Sequence, residues 1–133
     1  MSGLYKEHIL DHYANPRNWG RLDSPDIAAD ADDPSCGDQV HLEIDLDSDG
    51  RVAQVAFEGE GCIISMASTS LFTEYIKGKT VAELEAISED DVLRVLNAPV
   101  GSGRRRCALT PLRALQAGLR EYRERAQRDA KNN

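Results

Sequence analysis

A strand–turn–strand pattern in the middle of the chain constrains the fold more than any other feature. Apolar side chains alternate with polar ones over residues 40–46, which is the period of a half-buried β-strand. Residues 47–50, Asp-Ser-Asp-Gly, are a strong turn signal, and residues 52–57 form the returning strand. The pattern predicts a β-hairpin, to which residues 27–31 add a short edge strand.

Helical patterns surround this hairpin. A first helix is predicted over residues 3–14, with Ser2 as its N-cap, and a stripe of apolar residues three and four apart predicts a last helix beginning near Cys107. Between them, helices are predicted over 65–77 with Gly78 as C-cap, over 81–87 with Thr80 as N-cap, and over 90–96 with Ser88 as N-cap.

The order of these elements predicts the fold class. Strands come early and helices later, which is typical of an α+β protein with a small antiparallel sheet and helices packed on one face. The 133 residues suffice for one domain with a modest core. We therefore expect a single domain over residues 1–133, with residues 128–133 frayed.

Composition and charge exclude several classes of protein. The chain has 41% apolar and 29% charged residues, an ordinary globular composition, and no apolar run approaches the roughly 20 residues that span a bilayer. Residues 100–133 carry nine basic and three acidic side chains, a net +6 that leaves −13 for the rest. No aromatic–basic interleaving in this region suggests base stacking, so no nucleic-acid partner is expected. The polar N-terminus lacks a signal-peptide core, which predicts a soluble, cytoplasmic protein without a membrane partner.

The three cysteines are the main chemical signal. An odd number in such a chain argues against a disulfide framework. Cys36 lies in a Pro/Gly turn with Asp38, Cys62 follows glycines just before a predicted helix, and Cys107 follows three arginines at a predicted helix start. Helix N-termini and arginines favour the thiolate form, which binds metals and acts as a nucleophile.

Cys36, Asp38, Cys62 and Cys107 together make a four-ligand set. Zn²⁺ accepts three thiolates and a carboxylate in tetrahedral geometry, and a [2Fe–2S] cluster also needs four ligands. A carboxylate is a harder and weaker ligand than a thiolate, which suits a site that releases its metal or cluster. On spacing alone, three unrelated structural cysteines explain the pattern about as well.

The histidines offer two further interpretations. His8 and His12, at i and i+4, form either a metal pair or a surface or packing pair, and we favour the second. His41 alternates with the apolar strand residues and is expected on the opposite face of the sheet. No His and Asp or Asn pair stands beside a cysteine in the sequence, which argues against a cysteine hydrolase.

Four motifs, in order, resemble one known family. They are LYKEHILDHYANPRNWG, DPSCGDQV, the GEGC–IISMASTSLFTEYIKGK block and RCALTPLRAL, which span residues 4 to about 122. Together they resemble the IscU/SufU/NifU-N family of iron–sulfur cluster assembly scaffolds. The resemblance implies a three-stranded antiparallel sheet flanked by helices, and metal or cluster ligands at Cys36, Asp38, Cys62 and Cys107. It also implies that the protein accepts sulfur from a cysteine desulfurase, assembles a [2Fe–2S] cluster and passes it to apo acceptor proteins.

The chain combines features of two branches of that family. IscU proteins carry a histidine before the third cysteine, where this chain has Arg106, and a segment read by an Hsp70-type chaperone, where this chain has residues 98–103. Chaperone recognition is therefore not expected, and SufU-like chemistry, with zinc in the site, is slightly favoured. The 44 residues between Cys62 and Cys107 match the IscU length.

These branches imply different roles for the protein. The alternatives are a cluster scaffold, a zinc-dependent sulfurtransferase that activates its desulfurase, and a zinc-stabilised structural domain; whether the protein is an enzyme depends on the branch. Cys107 is the first candidate for the sulfur acceptor, because three arginines precede it, and Cys36 is the rival.

Overall fold

The computed structural model describes residues 6–33 and 37–131 and confirms the predicted α+β class. Three strands form one antiparallel sheet, and helices cover one of its faces. In chain order the elements are α1 (Glu7–Ala14), β1 (Ile27–Asp33), β2 (Asp38–Leu46), β3 (Val52–Glu60), α2 (Ile63–Ile76), α3 (Val81–Glu85), α4 (Glu89–Leu96), a 3₁₀ turn (Ser102–Arg104), α5 (Arg105–Ala108) and α6 (Thr110–Lys131).

The sheet has the order β1-β2-β3, so β1 is the predicted edge strand. The β2–β3 hairpin turns where the sequence predicts it: the Asp47 carbonyl accepts from Gly50 N–H, and Gly50 adopts φ +76°, which glycine tolerates best. At the opposite end of the sheet, β1 ends at Asp33 and β2 begins at Asp38, and these two residues are paired. That end carries the residues of the candidate site.

One face of the sheet forms the core with α2 and α6. Residues such as Leu42, Ile44 and Phe57 are at most 1% exposed, and they pack against Phe72 of α2 and Leu115 of α6. Helix α2 is almost wholly buried despite five serine and threonine residues, whose hydroxyl groups bond mainly to nearby backbone or side chains. Helix α2 is therefore a central, buried helix without the polar face of a usual surface helix.

His41 lies on the opposite face of the sheet, as predicted. Its ring bridges Asp30 Oδ1, at 2.9 Å from Nδ1, and Glu43 Oε2, at 2.8 Å from Nε2. The other two histidines confirm the packing interpretation. His8 Nε2 lies 2.8 Å from the Leu96 carbonyl oxygen, and His12 Nδ1 lies 2.7 Å from Ser70 Oγ.

Helix boundaries were predicted well where capping chemistry is local. Thr80 and Ser88 each form a capping box, with Glu83 and Asp91 as the reciprocal partners. Gly78 follows α2 with φ +83°. Helix α1 begins at Glu7, because Lys6 is extended; the predicted start at residue 3 and the predicted cap Ser2 lie outside the described residues.

The C-terminal helix begins close to its predicted start near Cys107. It begins at Thr110, three residues after Cys107, and is separate from α5. Pro111 has no N–H to donate to the Cys107 carbonyl, which accounts for the break. Residues 128–131, predicted to fray, are helical, and residues 132–133 are outside the described part. None of the helices within residues 6–33 and 37–131 has the length and apolarity to cross a bilayer.

Candidate metal centre

Three elements bring their ends together at one point. Asp38 is the first residue of β2, Cys62 is the N-cap of α2, and Cys107 lies in α5. One ligand atom from each residue lies within 4.8 Å of the others. The structure thus brings together three of the four predicted ligands, and the fourth, Cys36, lies outside the described residues.

Asp38 is fully buried and is held by the backbone of Cys62. The Cys62 N–H donates to Asp38 Oδ1 at 3.0 Å, which fixes the carboxylate against the start of α2. Gly61 makes this approach possible: a Cβ at Gly61 would lie 2.5 Å from Asp38 Oδ1 and closer still to Ser65 Oγ. Sequence reasoning assigned no role to Gly61.

Cys62 is held by the first turn of α2. Its Sγ accepts from the Ser65 N–H at 3.4 Å and lies 3.8 Å from Ser65 Oγ, whose hydroxyl donates to the Cys62 carbonyl at 3.1 Å. Burial raises the pKa of the Cys62 thiol and the charge of Asp38 adds to this. The contacts with Ser65 and Cys107 outweigh both, so the pKa lies below its ordinary value.

Cys107 is 1% exposed and belongs to a small apolar cluster with residues of α1, α2 and α4. The two arginines directly before it pair with carboxylates: Arg105 Nη2 lies 3.0 Å from Glu89 Oε1, and Arg106 Nε lies 2.9 Å from Asp33 Oδ2. Cys107 is the third residue of the four-residue α5 and lies three residues before the start of α6, which was predicted near it.

Asp33 and Ser65 are the residues at this site that sequence reasoning missed. Ser65 stands three residues after an N-cap, where a side chain folds back over the helix start, and this spacing is a usable signal. Asp33 gave no signal beyond its place before the Pro/Gly turn, because its partners are more than 70 residues away in α5 and α6.

The donor set fits a metal ion. Zn²⁺ binds thiolates at about 2.3 Å, which places sulfurs around a tetrahedral ion about 3.8 Å apart. Ligand atoms within 4.8 Å need only a small contraction to reach that geometry. Thiolates and a carboxylate also suit the irons of a cluster, so the donor set accommodates either a zinc ion or a cluster.

Comparison with known proteins resolves the family. The family model described as "NifU-like N terminal domain" matches residues 4–129, nearly the whole chain. The chain belongs to the NifU-like N-terminal domain family. This confirms the resemblance inferred from the four sequence motifs.

Relatives of this NifU-like domain fall in both predicted branches. It is 34% identical over 124 residues to the iron–sulfur cluster assembly scaffold protein IscU of Azotobacter vinelandii, covering 91% of this chain and 95% of the relative. It is 33% identical over 132 residues to the iron–sulfur cluster assembly enzyme IscU of Drosophila melanogaster, covering 97% and 84%. It is also 48% identical over 89 residues to the zinc-dependent sulfurtransferase SufU of Bacillus subtilis, covering 67% of this chain and only 59% of that protein.

Solved structures agree on the fold of the domain. A putative iron–sulfur cluster assembly scaffold protein for the SUF system from Fervidobacterium islandicum superimposes with a TM-score of 0.72 at 27% identity, covering 89% of this chain and 98% of that one. The N-terminal part of a nitrogen-fixing NifU-like protein from Brucella abortus gives 0.73 at 26% identity, covering 92% and 96%.

Proposed function

We propose that this NifU-like domain is an iron–sulfur cluster assembly scaffold. It accepts sulfur from a cysteine desulfurase in the cytoplasm, builds a [2Fe–2S] cluster as cargo and passes the cluster to apo acceptor proteins. The observation that carries the proposal is the convergence of Asp38, Cys62 and Cys107, whose ligand atoms lie within 4.8 Å of one another. Cys36, two residues before Asp38 in the sequence, is the proposed fourth ligand.

Each residue has a distinct task in this proposal. Cys62 and Cys107 provide thiolates from buried or half-buried positions, where bulk water competes poorly for the metal. Asp38 supplies a carboxylate, which exchanges more readily than a thiolate and so favours release of the cargo. The Cys62 N–H holds that carboxylate in place at the start of α2.

The sulfur acceptor in this proposal is one of two cysteines, Cys107 or Cys36. An acceptor must be a nucleophile that a desulfurase can reach, and Cys107 is only 1% exposed. Residues 101–106, directly before it, are all exposed and include two glycines. We therefore propose that Cys107 accepts sulfur when this exposed segment moves on docking, with Cys36 as the alternative acceptor.

A zinc-dependent sulfurtransferase is the second candidate function. The 48% identity to a SufU over 89 residues supports it, as does Arg106 in place of the histidine expected in the IscU branch. Zinc would then be the resident metal and would hold the thiolates ready for exchange. The chain would act as sulfur acceptor for its desulfurase and would build no cluster.

Metal content separates these functions. The protein is purified, its zinc is measured, and the metal-free form is reconstituted anaerobically with ferrous iron and sulfide. A visible-absorbing cluster that can be transferred to an apo ferredoxin supports the scaffold. Stoichiometric zinc that resists iron, together with stimulation of a desulfurase, supports the sulfurtransferase. Tight zinc with neither activity indicates a zinc-stabilised structural domain.

The ligand assignment is tested with single substitutions. Cys36→Ser, Cys62→Ser and Cys107→Ser are each expected to lower zinc affinity by at least tenfold, because a thiolate is lost from a closed site. Asp32→Asn, at an exposed carboxylate of β1, is the matched control and should leave the affinity unchanged. Wild-type affinity in all three cysteine variants would remove the proposed site.

A further inference from the structure

An ion pair connects α5, which carries Cys107, to the end of β1, the strand that pairs with the one carrying Asp38. Asp33 ends β1 and is 2% exposed, and its Oδ2 lies 2.9 Å from Arg106 Nε and 3.7 Å from Arg113 Nη2. Arg113 in turn donates to the Arg106 carbonyl at 3.0 Å and to Thr110 Oγ1 at 3.1 Å. A carboxylate buried at the end of the sheet is thus bound to the junction of α5 and α6.

The position of this pair relates it directly to two of the ligands. Asp33 is the register partner of Asp38 across β1 and β2. Arg106 is the residue before Cys107. The Asp33–Arg106 contact therefore connects the end of the sheet at which Asp38 lies to the helix that carries Cys107.

We propose that Asp33, through its ion pair with Arg106, is a positioning residue that sets the placement of Cys107 relative to Asp38. The inference rests on the proposed metal-binding function of the site. Neither residue belongs to the proposed ligand set. Their effect on metal binding comes from holding α5 against the end of the sheet.

The energetics of the pair support a positioning role. A buried carboxylate keeps its charge only when a partner compensates it, so Asp33 strongly favours arrangements in which a guanidinium is adjacent. Arg106 supplies its Nε in a fixed planar group, which restricts direction as well as distance. Since α5 has only four residues, one such contact restrains all of it. Residues that orient metal ligands from outside the ligand set typically change metal affinity by about 10–100-fold.

The direction in which each substitution changes metal affinity distinguishes a positioning role from a purely electrostatic one. If charge alone mattered, removing the cation Arg106 would strengthen binding of a divalent metal ion, and removing the anion Asp33 would weaken it. If the pair positions the ligands, both changes weaken binding, and the second change adds little after the first. Arg105 is the matched control, because it lies on the same short helix and pairs with Glu89 of α4, away from the sheet.

The experiment titrates Co²⁺ into the metal-free protein and measures both affinity, by chelator competition, and the visible spectrum of the thiolate-bound ion. Arg106→Gln and Asp33→Asn are each expected to weaken Co²⁺ binding about tenfold and to change the visible bands, and the double variant should match the weaker single variant. Arg106→Lys keeps the charge but not the planar group, so its Co²⁺ affinity should lie between those of the wild type and Arg106→Gln, and Arg105→Gln should stay within about twofold of the wild type.

Each outcome bears on a different claim. Urea unfolding of the metal-free variants shows whether they fold. The Arg106→Gln variant is expected to fold, because Arg113 remains beside Asp33 and keeps the buried carboxylate paired. Unchanged or tighter Co²⁺ binding in a folded Arg106→Gln variant overturns the positioning role but leaves the metal site intact. A wild-type protein that binds neither Co²⁺ nor Zn²⁺ overturns the proposed function together with this inference.

Discussion

The backbone N–H of Cys62 donates a hydrogen bond to Asp38 Oδ1 at 3.0 Å. One proposed ligand thereby accepts a bond from the backbone of another, and the start of α2 is bound to the start of β2. The carboxylate has two roles, since it fixes the loop before α2 and offers a ligand oxygen to a metal. Substitutions at and around this contact separate the two roles.

Gly61→Ala tests the close approach around Asp38. The new Cβ would lie 2.5 Å from Asp38 Oδ1, so the carboxylate or the loop must shift. We expect zinc affinity to fall at least tenfold and the free energy of unfolding to fall by about 1–3 kcal/mol. Gly103→Ala is the control, because a Cβ there meets nothing within 4 Å. Equal zinc affinity in both variants would contradict this role for Gly61.

Asp38→Ala and Asp38→Asn separate the ligand role from the loop role. Asn keeps an oxygen that can accept from the Cys62 N–H, but it is a weaker metal ligand than a carboxylate. Ala leaves that N–H without its acceptor, at a cost of about 1–3 kcal/mol in unfolding free energy for the metal-free protein. Asp38→Ala should also retain a reconstituted cluster longer than the wild type, since the exchangeable ligand is gone. Cluster loss is measured by visible absorbance. Faster loss from Asp38→Ala than from the wild type would contradict the role of Asp38 as the exchangeable ligand.

His41 should make part of the stability depend on pH. Burial lowers the pKa of His41, but its hydrogen bonds with Glu43 and Asp30 outweigh this and raise the pKa above 6.5. The folded state therefore binds the proton more tightly than the unfolded state. The stabilisation is fully present below about pH 6.5 and is lost as the pH rises through the folded-state pKa.

The measurement compares wild type with His41→Gln by urea unfolding across this range. The stability difference between the two proteins should shrink as the pH rises, and NMR titration of the His41 ring should give a pKa above that of a free histidine. The comparison with His41→Gln is needed because the pKa of His12 is lowered, mainly by burial. This lowered pKa makes the stability of the protein depend on pH in the opposite sense. A His41 pKa below 6.5 would show that desolvation outweighs the two carboxylates.

Persulfide mapping tests the proposed sulfur acceptor. After turnover with a cysteine desulfurase and cysteine, peptide mass spectrometry should find the added sulfur on Cys107. Because Cys107 is 1% exposed, labelling should depend on complex formation and should be much weaker with a small-molecule persulfide donor. Sulfur on Cys36 with Cys107 unmodified would transfer the role to Cys36.

Local chemistry in the sequence was enough to predict much of this protein. The alternation over residues 40–46 and the turn at 47–50 specify a hairpin whose two faces differ in polarity, so His41 was placed on the correct face. The caps at Thr80 and Ser88 were predictable because each cap depends on residues three positions apart. The four motifs also identified the family and named Asp38, Cys62 and Cys107, together with Cys36, as a set.

Only the tertiary structure decided how those residues meet. The Asp38–Cys62 hydrogen bond, the space left by Gly61 and the burial of Cys107 depend on how β2, α2 and α5 pack. The pairing of Asp33 with Arg106 joins residues 73 positions apart and leaves no periodic pattern in the sequence. Patterns of hydrophobicity specify which face of an element is buried. They do not specify which polar groups at the ends of different elements become neighbours, because that follows from packing geometry over the whole domain.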